Sequence, residues 1–384
     1  MAKYKFLYLD DNDKITRDGD VELINHLFDD LVIVTDYPNS WNKRSKQIIS
    51  DIENDIDGLI LDWEFTNQSA EAKKGCHEAE DVDFTAESLA EHIRVSVGQN
   101  KLKKDVPIII CSADLKNSFT NFRNKEVSSR DIFDLSVLKS DLFDKRAKKN
   151  GLQLLDLAHT YKYLQNNQYD AKSLLNIEDE EIEEIDIRFI DSLEILFPTT
   201  AHDLVQFIIR EFIEKEGLLI DLMVLAARLG VDINESTQDW YKLIEILQKD
   251  NVFYNGILAN GWKRVWAFRL NKWWENIAEN TELQSLPADR RVEILNSKFN
   301  LKLIPAEKIK FCSSNRYWTV CRGTMKPLDP LNGFLIGQYI SYPWQNPEYV
   351  SGYAELDKSE EAQSWKINIM DRERFKEFKK KIQQ

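Results

Sequence analysis

Cysteine is scarce in this 384-residue chain: Cys76, Cys111, Cys312 and Cys321 are the four present, and no two stand as a CxxC pair. That excludes a disulfide framework and a cysteine-rich zinc site. The five histidines are scattered without an HxxxH pair, so no His/Cys metal centre is indicated either. Proline (9) and glycine (13) are few, while 43% of residues are apolar and 11% aromatic, which excludes a disordered or fibrous chain. No stretch approaches the roughly 18 apolar residues that span a bilayer. The apolar run from Tyr4 meets Asp10 too soon for the hydrophobic core of a signal peptide. A soluble, cytoplasmic protein with no membrane partner is expected. Basic charge is also in deficit: 51 Lys and Arg face 65 Asp and Glu, a net charge of −14. Nucleic-acid affinity comes largely from basic side chains that displace phosphate counterions, so a nucleic-acid partner is disfavoured.

What is there suggests two or three domains, at about 100–200 residues per domain. The first third alternates short apolar runs with amphipathic stretches, the pattern of a parallel sheet with crossover helices. Strands are expected at 4–9, 31–34, 58–61, 106–111 and 135–138. Helices are expected over 21–28, 42–52 and 85–95, with another after Leu115 and a last one running from Ser140 through Tyr163. Thr85 is the expected cap of its helix, with Glu87 favouring the first turn. The expected fold class is α/β: a doubly wound (βα)5 domain over 1–148, a mostly α domain over 149–300, and a small β-rich domain with a terminal helix over 301–384. In the second region apolar residues recur at helical spacing, as in Leu204, Val205, Ile208 and Phe212. The acid block 178–186 carries interleaved isoleucines and reads as a solvated helix face.

Ligands of a doubly wound sheet bind at the carboxyl ends of the strands. There stand Asp10 and Asp11 after the first strand, Asp62 after the third, Ser112 after the fourth and Lys139 after the fifth. Close carboxylates repel by about 4 kcal/mol per pair at an intermediate dielectric, so the cluster calls for a cation. Oxygen-only ligation by Asp10, Asp11 and Asp62 suits Mg2+. Asp62 is then the candidate nucleophile toward a phosphoryl group, Ser112 a hydrogen-bond donor to its oxygens, and Lys139 the remaining positive charge.

This ordered set resembles the receiver domain of two-component response regulators. Receivers carry an acidic pair after strand one, a phosphoacceptor Asp after strand three, Ser or Thr often followed by Ala after strand four, and Lys after strand five. Here these are Asp10 and Asp11, Asp62, Ser112 with Ala113, and Lys139. The resemblance covers residues 1–148. It implies Mg2+-dependent acceptance of a phosphoryl group on Asp62 from a sensor histidine kinase or phosphotransfer protein, with an output protein it does not identify. Some features depart from the pattern. The segment between Asp62 and Ser112 is long and includes the polar stretch 67–83. Ser136 stands where the family has its switch aromatic, and Ser140 rather than Pro follows Lys139. Glu64 takes the place from which side chains influence the attacking water. A receiver followed by a large unassigned region also resembles components of bacterial anti-phage phosphorelays such as Detocs, which implies an adaptor, regulator or phosphate sink.

Outside that set, His159 reads as an ordinary exposed histidine and His202 as a residue of a helix first turn. The 222–247 segment can be read as helix-turn-helix, but offers only Lys242 as a base at the start of its second helix, so plain packing is expected. Trp262, Trp266 and Trp273 fall on one helical stripe beside Lys263, Arg264, Arg269 and Lys272. This reads as an aromatic core, with a basic aromatic output surface as the sharper alternative. The two competing functions are a transcription regulator using the 222–274 helices on DNA and an effector with an unrecognised C-terminal activity.

Overall fold

The computed structural model describes residues 3–65, 80–113, 129–278, 281–337, 342–357 and 365–383. Cys76, the expected helix after Leu115 and most of the polar 67–83 stretch lie outside them. The chain divides into two compact units: 1–175 with 191–208 and 256–262, and 176–190 with 209–255 and 263–384. Among the described residues no helix is long and apolar enough to cross a membrane.

The first unit holds a five-stranded parallel sheet in the order β2-β1-β3-β4-β5. The strands are β1 (Tyr4–Leu9), β2 (Leu31–Asp36), β3 (Gly58–Asp62), β4 (Ile108–Ser112) and β5 (Leu135–Leu138). β3 and β4 are buried throughout, as strands covered by crossover helices on both faces must be. Leu7, Leu9, Leu59, Leu61, Ile108 and Ile110 share a core with Ile48 and Ile52 of α2 (Trp41–Asn54) and Leu89 and Ile93 of α3 (Ala86–Gly98). Strand alternation sends Phe6, Tyr8, Ile60 and Ile109 to the opposite face. Gly58 is required where β3 passes β1, because a Cβ there would lie 2.2 Å from the Phe6 ring.

Helix α1 (Lys14–Leu27) begins well before the expected Val21. Asp13 caps it by accepting from the amides of Ile15 and Thr16, and the first turns carry little apolar signal because Ile15 points to solvent. Thr85 caps α3 as expected, within a capping box whose other half is Ser88. The helix expected from Ser140 is broken. A π-helical turn, Asp141–Lys145, precedes α4 (Ala147–Asn166), and Arg146 N–H closes the wide turn on the Asp141 carbonyl at 3.0 Å. α5 (Ala201–Phe207) packs on α4.

The second unit is mostly helical. Its core joins Val224, Leu225 and Leu229 of α6 (Leu222–Leu229) with Trp240, Leu243 and Leu247 of α7 (Thr237–Lys249). Trp273 and Trp274 of α8 (Ala267–Ile277) and Val292 and Leu295 of α9 (Ala288–Phe299) complete it. Three antiparallel pairs of strands two or three residues long accompany the helices: β6 (Leu219–Ile220) with β7 (Val265–Trp266), β8 (Thr319–Val320) with β9 (Pro327–Leu328), and β10 (Gly333–Leu335) with β11 (Tyr349–Ser351). The terminal helix α10 (Arg372–Gln383) sets Phe375 and Phe378 against Phe334, with ring centroids 5.1 and 5.5 Å away.

Two local expectations are corrected here. α8 starts at Ala267, so Trp262 lies on no stripe with Trp273 and belongs to the first unit. The acid block is a 3-10 turn, Asp179–Glu184, rather than a free helix face. Its Glu181 receives the Arg269 guanidinium through two 2.7 Å hydrogen bonds, and Glu184 pairs with Lys272 at 2.8 Å. Two of the four bases of the supposed output surface, Arg269 and Lys272, are thereby paired within the unit.

Candidate functional site

β1 and β3 run side by side, with Leu9 level with Leu61, so their carboxyl ends bring Asp10, Asp11 and Asp62 together. This is where strand order reverses, the place at which such sheets bind ligands. Each of the three offers a carboxylate oxygen within 4.8 Å of the others, and all three residues are buried. Asp62 is the last residue of β3 and lies level with Cys111 of β4, which places Ser112, buried, one residue further toward the same end. Lys139 directly follows β5, and its Nζ reaches 2.7 Å from Asp10 Oδ2 and 2.6 Å from Asp62 Oδ2. Of the five residues expected at the rim, Asp10, Asp11, Asp62 and Lys139 lie in one cluster. Ser112 is placed beside them by strand register.

The loop after β1 is held by residues that the sequence reading passed over. Asn12 N–H donates to Asp10 Oδ1 at 2.6 Å, and the buried Arg17 reaches back from α1 to the carbonyls of Asp10 (3.4 Å) and Asn12. The Tyr8 hydroxyl donates to Asp10 Oδ2 from within the sheet. The signal for Tyr8 was available, since residues two apart in a strand face the same side. Arg17 gave none, because a lone arginine among polar neighbours looks like a solvated residue. After β2, Arg44 performs a similar task, donating to the Pro38 carbonyl at 2.9 Å and to Asp36 Oδ2 at 2.6 Å.

Burial is the largest influence on Asp62 and pushes its carboxyl up to about 7, with Asp10 and Asp11 adding to the rise and Lys139 opposing it. Burial also acts on Asp10, yet Lys139, the Tyr8 hydroxyl and the Asn12 amide together outweigh it and hold that carboxyl below its ordinary value. Lys139 is raised above the usual lysine range: burial disfavours its charge, but Asp62 and Asp10 more than compensate. One acid ionises readily and its neighbour reluctantly, with a fixed ammonium between them. A cluster of oxygen donors around a reluctant carboxylate suits a hard divalent cation.

The remaining candidates fall elsewhere. His159 is exposed on α4. His202 does lie in a helix first turn but is buried, with Nδ1 3.2 Å from Asp134 Oδ1 and Nε2 2.6 Å from the Asp131 carbonyl oxygen. Lys242 pairs with Asp239 at 2.8 Å.

No protein-family model, curated protein or solved structure matches the chain. The class therefore rests on fold and site: a five-stranded parallel sheet with alternating helices, compatible with a receiver-like α/β domain.

Proposed function

We propose that the protein is a response-regulator-like phosphoacceptor, taking a phosphoryl group on Asp62 from a histidine kinase or phosphotransfer protein. The observation that carries this reading is the meeting of Asp10, Asp11 and Asp62 at the switch point, with Lys139 bonded to two of them. Asp10, Asp11 and Asp62 would hold Mg2+, whose contribution is to offset the negative charge of the incoming phosphoryl oxygens.

In the transfer an Asp62 carboxylate oxygen attacks phosphorus, the bond from phosphorus to the donor's imidazole nitrogen breaks, and its electron pair stays with the departing imidazole. The product is an acyl phosphate. Lys139 already lies at hydrogen-bond distance from Asp62 and moves from that oxygen onto the phosphoryl group as charge shifts there. Ser112, at the end of β4, donates its hydroxyl to a second phosphoryl oxygen. The new group carries about −1.5 to −2 charges. It draws Lys139 away from Asp10 and so biases the turn that follows β5. Output passes to a protein partner, as adaptor, regulator or phosphate sink in a phosphorelay, and an anti-phage relay is the setting its architecture suggests.

The test is mass spectrometry of the intact protein after incubation with Mg2+ and acetyl phosphate. One acid-labile phosphate is expected, absent in Asp62→Asn and without Mg2+. No gain in mass, or an equal gain in Asp62→Asn, overturns the reading.

A further inference from the structure

Tyr8 has no place in the transfer described above, yet it touches the site. It lies in the middle of β1, fully buried, two residues before Asp10 and so on the same side of the strand. Its hydroxyl donates to Asp10 Oδ2, the oxygen that also accepts from Lys139, while Oδ1 is taken by the Asn12 amide. An ionised carboxylate has about four lone-pair sites. Among the described residues these three donors leave Asp10 a single direction in which to meet a cation. Of the three, Lys139 is the one the proposed chemistry calls away, and the Asn12 amide belongs to the loop. Tyr8 alone reaches Asp10 from the packed interior of the sheet, where its ring lies 5.1 Å from that of Phe143 in the π-helical turn after Lys139.

We infer that Tyr8 is a positioning residue of the cation site: its hydroxyl fixes the rotation of the Asp10 carboxylate so that the remaining lone pair faces Asp11 and Asp62. The inference rests on the reading of those three acids as an Mg2+ site. A buried hydroxyl that merely found the nearest acceptor would have no such effect. Outer partners that orient a metal-binding carboxylate typically contribute about 10–100-fold in metal affinity.

The experiment is calorimetric titration of the full chain with MgCl2, with no phosphodonor present, for the wild type, Tyr8→Phe and Phe143→Leu. The expected result is an Mg2+ dissociation constant at least about 10-fold higher in Tyr8→Phe. Phe143→Leu keeps the hydroxyl and loses ring packing, so it should lower the unfolding temperature but leave Mg2+ affinity within about twofold of wild type. Equal affinity in wild type and Tyr8→Phe, or equal losses in the two variants, overturns the role of Tyr8 while leaving the Mg2+ site intact. A wild-type protein that binds no Mg2+ overturns the site itself, so the two failures are distinct. If Tyr8→Phe does not fold, 3-fluorotyrosine placed at position 8 alone gives the second measurement. Its fluorine resonance should move during Mg2+ titration, and a resonance that stays put while heat shows binding overturns the inference.

Discussion

Burial holds the Asp62 carboxyl in a state whose ionisation opposes stability. Its carboxyl is raised by burial from 3.8 to about 7, so the folded protein binds a proton there more tightly than the unfolded chain does. The sign follows: the contribution is fully present below about pH 4 and is lost as pH rises toward 7. Asp62→Asn removes the penalty of the ionised form. In metal-free buffer its unfolding temperature should exceed wild type by several degrees at pH 8, with the gap shrinking toward pH 4. Adding Mg2+ at pH 8 should narrow the gap by stabilising the wild type. A gap independent of pH would show that the neighbourhood of Asp62 imposes no such cost. The rim residues were legible because strand ends can be located from apolar runs. Tyr8 was overlooked because it counts as one more apolar strand residue until its hydroxyl is followed to Asp10.

At the scale of elements, the far end of the sheet is organised by a second charged cluster. Asp134, immediately before β5, accepts from Arg94 of α3 at 2.8 Å, from Tyr161 of α4 at 2.7 Å, from Gln206 of α5 at 3.1 Å and from the Ile108 amide at 2.8 Å. Arg94 also reaches Asp105 at 2.8 Å, and Gln165 of α4 bonds the backbone of Asp105 on both sides. Burial acts to raise the Asp134 carboxyl, but Arg94 and His202 override it and hold it below the usual range. Its stabilisation is therefore present above about pH 4 and lost as pH falls. Asp134→Asn leaves the Arg94 guanidinium partly unpaired inside the protein and should cost roughly 3–5 kcal/mol in urea unfolding at pH 7. The difference should close in acid. A cost under about 1 kcal/mol would mean that packing, not charge, joins these elements. None of this cluster was legible, because it links residues nearly 100 positions apart, from Asp105 to His202, and no local pattern reports such a meeting. The start of α1 was missed for a different reason. Its signal is a cap, Asp13, followed by polar turns, and apolar periodicity begins only at Val21.

At the scale of the whole molecule, the two compact units share the chain discontinuously, with 191–208 and 256–262 returning to the first. The (βα)5 stretch 1–148 consequently lacks groups that its own sheet uses: Tyr161, Gln165, His202 and Gln206 all come from beyond it. A fragment 1–148 should unfold at lower urea concentration than a fragment 1–208, or without a cooperative transition. Equal midpoints would show the later helices to be dispensable. In the second unit, burial beside Asp221 pushes the Glu216 carboxyl up to about 7. Glu216 is among the residues that line a cavity of about 600 Å3, together with Arg264, Arg322 and Asn346.

The linear chain determined the parallel sheet, because strands covered on both faces must be written as near-continuous apolar runs, and it determined which polar residues end those runs. It favoured burial of the tryptophans of 240–274 over a basic aromatic surface, since so many rings have few places to go but inside, and all five are buried. Only the tertiary structure decided how the acids are held. The Tyr8 hydroxyl beneath Asp10, Lys139 between two carboxylates and Arg17 behind the loop depend on hydrogen bonds a few ångströms long. Lys139 stands 129 and 77 residues from its two partners, separations that carry no information about distance in space, and for the nearer Tyr8 and Arg17 only the folded loop decides which acceptor their polar ends meet.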